Sequence, residues 1–190
     1  MKVFTLNSGG SSIKFQLCEM PEYIVIASGS AERIGKADAE FKINLKDNPT
    51  KRETLEIRNH KHAIELILKA IFDNESGICS SITEIGAVGH RVLHGGEKYR
   101  TSVKIDDDVM NSIRDFSELA PLHNPHNLAG IEACKALFPG VPQIAVFDNG
   151  FHTGLPEQAY LYALPYKYYK EYGIRKYGFH GPGEEGCKGS

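Results

Sequence analysis

The sequence predicts an α/β protein, a mixed β-sheet flanked by helices, and three observations carry that reading. The first sixty residues hold short apolar or alternating runs bounded by Gly, Pro, Asn and Asp, the pattern of strands joined by tight turns. Three later stretches place apolar residues at helical spacing between capping and stop residues. Two short apolar runs, residues 85–90 and 141–147, each follow such a stretch, which adds helix-connected strands to the sheet.

Taken in order, residues 3–6 read as a buried strand, and Ile13, Phe15 and Leu17 alternate with Lys14 and Gln16 as a half-exposed second one. Between them lies Asn7-Ser8-Gly9-Gly10-Ser11-Ser12. Residues 23–28 would complete a meander, and residues 41–45 and 54–57 fit two further strands. Asn59 caps the first helix, whose stripe is Ile64, Ile67, Leu68 and Ile71, and Asp73-Asn74 and Gly77 end it. After the strand at 85–90, residues 107–119 form a second helix with Val109, Ile113 and Phe116 inward. It leads into the polar loop Pro121-Leu122-His123-Asn124-Pro125-His126-Asn127. Asn124 before Pro125 matches an N-cap with proline at the first helical position, and Leu128, Ile131, Cys134 and Leu137 give the third helix its buried stripe. Pro139-Gly140 closes it, and the strand at 141–147 delivers Asp148 at its end.

A chain of 190 residues has room for one full domain and the beginning of another. With 41% hydrophobic residues, 24% charged residues and a formal net charge of −2, it reads as an ordinary soluble globular protein. Lys and Arg are scattered and not interleaved with aromatics, which argues against a nucleic-acid partner. No stretch approaches membrane-spanning length, and the apolar run at residues 3–6 is too short for a signal peptide. Cys18, Cys79, Cys134 and Cys187 lie far apart with no C-x-x-C pair, so they read as reduced thiols of a cytoplasmic protein.

Chemistry is expected where strands end in polar or glycine-rich turns, and four such places occur. In Asn7-Ser8-Gly9-Gly10-Ser11-Ser12-Ile13-Lys14, glycines allow backbone N–H groups to approach phosphate oxygens, while hydroxyls and Lys14 add donors and charge. The spacing is not that of a P-loop, and a small-residue hairpin turn explains it equally well. In Gly89-His90-Arg91-Val92-Leu93-His94-Gly95-Gly96 a strand ends in a guanidinium, which suits a carboxylate or phosphate oxygen pair, or an acid of the protein itself. His123 could donate to an anion or bond the loop backbone. Asp148 ends an apolar strand, where ligands of open α/β sheets bind, or else caps the next turn.

Together these residues resemble the acetate kinase family, within the actin-like and sugar-kinase ATPase superfamily. The resemblance rests on N-S-G-G-S-S-I-K-F, G-H-R-V-L-H-G-G, A-P-L-H-N-P-H-N-L, F-D-x-x-F-H with Y-A-L-P-Y, and R-K-Y-G-F-H-G, which together cover nearly the whole chain. It implies reversible transfer of the γ-phosphoryl group of ATP to acetate, giving acetyl phosphate and ADP, with Mg2+ required and Mn2+ as its substitute. It also implies two actin-like domains with the site in the cleft between them, and a homodimer. By the resemblance Asn7 helps position the metal, and Ser12 and Lys14 lie near the nucleotide phosphates. Arg91 holds the acetate carboxylate, and Leu93, Leu122 and Phe179 wall the methyl pocket. His123 and His180 contact the transferring phosphoryl, and Asp148 is the catalytic acid residue. A carboxylic acid with a pKa of roughly 4 to 5 is already ionised at neutral pH, so no base is needed to activate it, and Asp148 is expected to orient metal-bound water or the acceptor. Propionate and butyrate kinases share much of this motif set, and a non-catalytic actin-like scaffold or inactive fragment is the reading from another class.

The chain departs from the family pattern at Asn149-Gly150, at Thr153-Gly154-Leu155-Pro156 and from Pro182 onward. The expected organisation is an N-terminal actin-like domain over residues 1–149, the start of a second domain over 150–181, and a disordered tail over 182–190 with linker composition. The nucleotide-binding loops of the second domain are then expected to be missing, so that the isolated chain turns over negligibly. Tyr160, Tyr162, Tyr166, Tyr168, Tyr169 and Tyr172 are expected to lack their covering partners.

Overall fold

The computed structural model describes residues 1–73 and 78–180, and one eight-stranded sheet organises them. The expected meander opens it. β1 (Lys2–Ser8), β2 (Ser12–Glu19), β3 (Ile24–Glu32), β4 (Ala39–Leu45) and β5 (Lys51–Leu55) pair antiparallel in succession. On the other side of β1, β6 (Ile85–Val92) and β8 (Gln143–Phe147) add in parallel, and β7 (Val103–Lys104) closes the edge antiparallel to β8. The strand order is β5-β4-β3-β2-β1-β6-β8-β7, the mixed sheet that the sequence predicts.

Three helices cover one face. α1 (His60–Ile71) packs on β2 and β4, α3 (Asn124–Leu137) packs on β1 and β6, and α2 (Asp107–Asp115) rests against α3. Alternation along the strands sorts side chains between the two faces. The cross-strand rows Phe4–Leu17–Ala27–Leu45 and Leu6–Phe15–Gly29–Ile43 face the helices and enter the main apolar cluster. Gly29 in the second row makes room: a Cβ there would meet the Lys42 carbonyl at 2.0 Å and the Phe15 ring at 2.9 Å. The neighbouring rows, Thr5–Gln16–Ser28–Asn44 and Asn7–Lys14–Ser30–Lys42, are polar and lie on the opposite face.

Several boundaries differ from the sequence reading. β3 starts at Ile24, because Tyr23 occupies a turn with φ 55. β5 runs Lys51–Leu55 and stops before the expected 57. β8 starts at Gln143, since Pro142 has no N–H for the ladder. α2 ends at Asp115 and continues as a 3₁₀ turn, Phe116–Glu118. β7 is too short to leave a period in the sequence. Asn59 caps α1 as expected, accepting from His62 N–H at 2.9 Å. Asn124 does not cap α3: His123 holds the N-cap position without a side-chain cap bond, because the Asn124 amide is engaged by buried backbone elsewhere. Asn74, Gly77 and the tail at 182–190 lie outside the described residues.

Among the described residues neither apolar cluster extends past Phe147: the main one reaches Phe138 and Val141, and the second ends at Phe147 itself. Beyond it come a 3₁₀ turn (Phe151–Gly154) and two short helices, α4 (Glu157–Tyr160) and α5 (Lys167–Tyr172). Of the six tyrosines expected to be uncovered, Tyr160 and Tyr169 are half-buried, while Tyr162, Tyr166, Tyr168 and Tyr172 are exposed. Arg175 accounts for the difference: it is buried, its guanidinium lies 3.7 Å from the Tyr160 ring centre, and it pairs with Glu97, which also accepts from the Tyr169 hydroxyl at 3.2 Å.

Candidate active site

β1, β6 and β8 are mutually parallel neighbours, so their carboxyl ends share one edge, the place where open α/β sheets bind ligands. Three of the four polar turns singled out in the sequence leave from that edge. On β6 the alternation buries His90 and Val92 and leaves Arg91 on the polar face, opposite Val146 of β8. Asp148, the first residue past β8, is held there by its N–H bond to the Val92 carbonyl at 2.9 Å.

Arg91 and Asp148 form a forked ion pair. Arg91 Nε donates to Oδ1 at 2.9 Å and Oδ2 at 3.0 Å, and Nη2 donates to Oδ2 at 2.5 Å. The Asp148 side chain is 2% exposed and that of Arg91 37%, so the acid is buried while the base reaches solvent. Both alternatives weighed for Arg91 therefore bear on one residue: it has a protein acid as partner, and Nη1 has no protein partner among the described residues. The bonds to Asp148 raise the Arg91 pKa against the opposing effect of burial, so the cation is permanent.

A cavity of about 680 Å3 opens over the polar face beside this pair. Asn7, Lys14, Arg91, Asp148 and His180 line it, which brings together five of the ten residues named from the sequence. Lys42 lines its far side, in the same row as Lys14 and Ser30 and one strand beyond Ser30. Ser12, Leu93, Leu122, His123 and Phe179 lie outside the lining. Leu122 is 76% exposed in the turn before α3, and neither it nor Leu93 nor Phe179 lines the cavity beside Arg91. Among the described residues no group of three or more His, Cys, Asp or Glu side chains is placed to hold a metal ion. Asp148 and Asn7, one carboxylate and one amide on the lining of this cavity, are oxygen donors of the kind a magnesium ion takes.

The turns themselves are braced by residues to which the sequence reading gave no role at the site. His60, at the start of α1, contacts the Gly9 carbonyl through Nε2 at 2.7 Å and stacks on His126 with ring centres 5.9 Å apart. Asn124, Asn127 and Asn149 are all buried and bond the loop after β6. His94 sits within that loop, 2% exposed, its Nδ1 accepting from Gly96 N–H at 3.0 Å and its ring 4.5 Å from Tyr177 and 5.6 Å from Phe179. It thereby ties the segment carrying His180 to the loop carrying Leu93. Gly96 lies at φ 61, where the left-handed backbone favours glycine. No sequence period marks such residues, because buried amides and imidazoles are placed by the loops they serve.

Two of these histidines give the fold a pH dependence. Burial lowers the pKa of His90 to about 4, against a raising hydrogen bond to Gln143 at 2.6 Å, and burial lowers that of His94 to about 4 as well. Their folded-state values lie below the ordinary 6.5, so the unfolded chain binds more protons between roughly pH 6.5 and 4. Their contribution to stability is therefore complete above about pH 6.5, is lost as pH falls toward 4, and changes no further below that. The urea midpoint is expected to drop between pH 7 and pH 4.5, and a His90→Gln variant is expected to drop less steeply. Parallel profiles for parent and variant would refute the assignment to His90.

Comparison with known proteins matches this geometry to one group. The model of the Acetokinase family matches residues 2–187. The acetate kinase of Desulfitobacterium hafniense is 54% identical over 181 residues, which are 95% of this chain and 45% of that protein. The acetate kinase of Exiguobacterium sibiricum is 54% identical over 180 residues, 95% of this chain and 44% of its own. Among solved structures, the acetate kinase of Porphyromonas gingivalis superimposes with a TM-score of 0.91 at 40% identity, covering 98% of this chain and 48% of that one. A propionate kinase from Francisella tularensis gives 0.88 at 34% identity over the same shares. The chain thus spans about half the length of the relatives it matches, and the eight-stranded sheet is the first part of their actin-like ATPase fold. With a family match along nearly all of its residues and relatives at 54% identity, the chain belongs to the acetokinase family.

Proposed function

We propose that this chain supplies the acceptor side of an acetate kinase, which transfers the γ-phosphoryl group of ATP reversibly to acetate. The observation that carries the reading is the Arg91–Asp148 pair, set at the ends of two parallel strands in a cavity that Asn7, Lys14 and His180 also line. Phosphoryl transfer depends on positioning and on donors aimed at charge spread over the equatorial oxygens. Arg91 keeps Nη1 for the acetate carboxylate while Asp148 fixes the plane of its guanidinium. Because both Asp148 oxygens already accept from Arg91, Asp148 acts first by orienting that cation and needs no proton transfer of its own. Lys14 and Asn7 face the donor phosphates, and His180 and His123 approach the transferring group from the loops. A magnesium ion brought with ATP would be held by Asn7 and Asp148 and would neutralise charge on the phosphates.

The nucleotide's remaining contacts belong to a second domain, which begins near Gly150 in this proposal. The absence of any member of either apolar cluster beyond Phe147, among the described residues, supports that boundary. The exposed Tyr162, Leu164, Tyr166, Tyr172 and Ile174 supply apolar surface for the rest of that domain to cover. In the whole enzyme we place the protein in the cytoplasm as a homodimer; the free buried thiols of Cys18, Cys79 and Cys134 accord with a reducing compartment. Among the described residues no helix is long and apolar enough to cross a membrane.

The test is ATP-dependent acyl phosphate formation, with acetate and propionate as acceptors, by the purified chain alone and with the complementary second half. Activity is expected only with the second half and in favour of acetate. Propionate turned over faster would assign the pocket to the longer acid, as in the Francisella tularensis neighbour. No activity in either setting would favour a non-catalytic actin-like domain.

A further inference from the structure

We propose that Asn127 is a positioning residue that couples the donor-side turn to the acceptor-side loop. The kinetic half of this inference rests on the acetate kinase reading; the structural half does not. Asn127 lies in the first turn of α3 and is 6% exposed. Its Oδ1 accepts from Leu93 N–H at 3.0 Å, in the loop that follows Arg91, and its Nδ2 donates to the Ser8 carbonyl at 2.6 Å, where β1 runs into the Gly9-Gly10 turn. One amide thus spans two loops that are far apart in sequence and that carry the two halves of the candidate site.

The helix is brought close enough for this by Gly130, three residues on. A Cβ at Gly130 would meet Ser8 Oγ at 2.2 Å and Ser8 Cβ at 2.9 Å, so α3 lies directly against the end of β1. Only a short side chain with a donor and an acceptor on one carbon can bridge both groups there, which excludes an ionised Asp, an acceptor only, and excludes Ala altogether. The neighbouring amides act locally. Asn149 accepts from Gly95 N–H at 2.9 Å and donates to the Gly96 carbonyl at 2.6 Å. Asn124 accepts from His94 N–H at 3.1 Å and donates to the His94 carbonyl at 2.9 Å. Asn124 also donates to the Ile113 carbonyl of α2 at 3.2 Å, so neither amide touches the donor-side turn, whereas Asn127 reaches it.

Amide hydrogen exchange on the 190-residue chain tests this directly, with Gly9 and Leu93 as reporters; Gly9 N–H bonds the Ser12 carbonyl at 2.8 Å across the donor-side turn. In Asn127→Ala both reporters are expected to exchange about tenfold faster, the scale of one lost net hydrogen bond, while amides in the centre of β1 stay protected. Asn127→Asp, which keeps the acceptor and removes the donor, is expected to speed Gly9 more than Leu93. Asn149→Ala is expected to free Gly95 and leave Gly9 unchanged. In the reconstituted enzyme, Asn127→Ala is expected to raise KM for both ATP and acetate, and Asn149→Ala for acetate alone. A Gly9 rate unchanged in both Asn127 variants overturns the proposal, as does a uniform acceleration across the sheet. If the parent enzyme proves inactive, the acetate kinase reading fails on that result while the exchange pattern still decides the coupling.

Discussion

Arg91→Ala is expected to lower acetyl phosphate formation in the reconstituted enzyme by about 10²–10³-fold, the loss that follows removal of a preorganised charge-stabilising donor. Two effects combine in this variant. The cation that would hold the acceptor carboxylate disappears, and Asp148, with its side chain 2% exposed, is left as a buried acid without its partner. Breaking a buried pair from one side costs about 3–5 kcal/mol, and the 37% exposure of Arg91 moves the expected cost to the lower end of that range. Asp148→Asn separates the effects. The amide still accepts one hydrogen bond from Arg91 and carries no buried charge, so stability is expected to fall less than in Arg91→Ala while turnover falls with it, because the guanidinium loses its fixed plane. Turnover near the parental value in Arg91→Ala would sink the acceptor-side assignment. Near-normal turnover and magnesium dependence in Asp148→Asn would sink the orienting role of the acid.

Phe4→Ala is expected to destabilise the chain by about 3–5 kcal/mol, a large part of the stability of an ordinary domain. Phe4 is fully buried at the centre of β1, with its ring 5.4 Å from that of Phe138 and 5.9 Å from that of Phe15. The site lies where the sheet, α1 and α3 meet, so no flexible surface group can collapse into the space left behind. For a chain of this size the melting temperature is expected to fall by roughly 10 °C. Phe4→Leu keeps most of the volume and is expected to cost far less. Equal melting temperatures for the two variants would mean that the cavity relaxes and that the packing argument is wrong.

The meander was legible because its faces differ so sharply. Phe15 and Leu17 against Lys14 and Gln16 announce a strand with one apolar side, and the structure places those residues on opposite faces. Arg91 and Asp148 stood out because charged residues at the ends of apolar strands need a reason to be there, and each proves to be the other's partner. Asn124 misled for an instructive reason. Asn before Pro is the local pattern of an N-cap, yet the amide is taken by His94, whose buried backbone has few other partners. Leu122 and Phe179 were assigned to one pocket by resemblance, and the described residues leave Leu122 in solvent.

By itself, the sequence determined the α/β class, most of the strands and helices, the family, and the residues able to carry charge at the strand ends. These follow from side-chain period, turn chemistry and motif order, which are local along the chain. Only the tertiary structure decided which of those residues meet. The pairing of Arg91 with Asp148, the bridge from Ser8 to Leu93 through Asn127, and the close approach of Gly130 to β1 all join segments distant in sequence. The physical reason is that a buried polar group must find its partner wherever packing delivers one, and packing is settled by the sheet order rather than by neighbours along the chain.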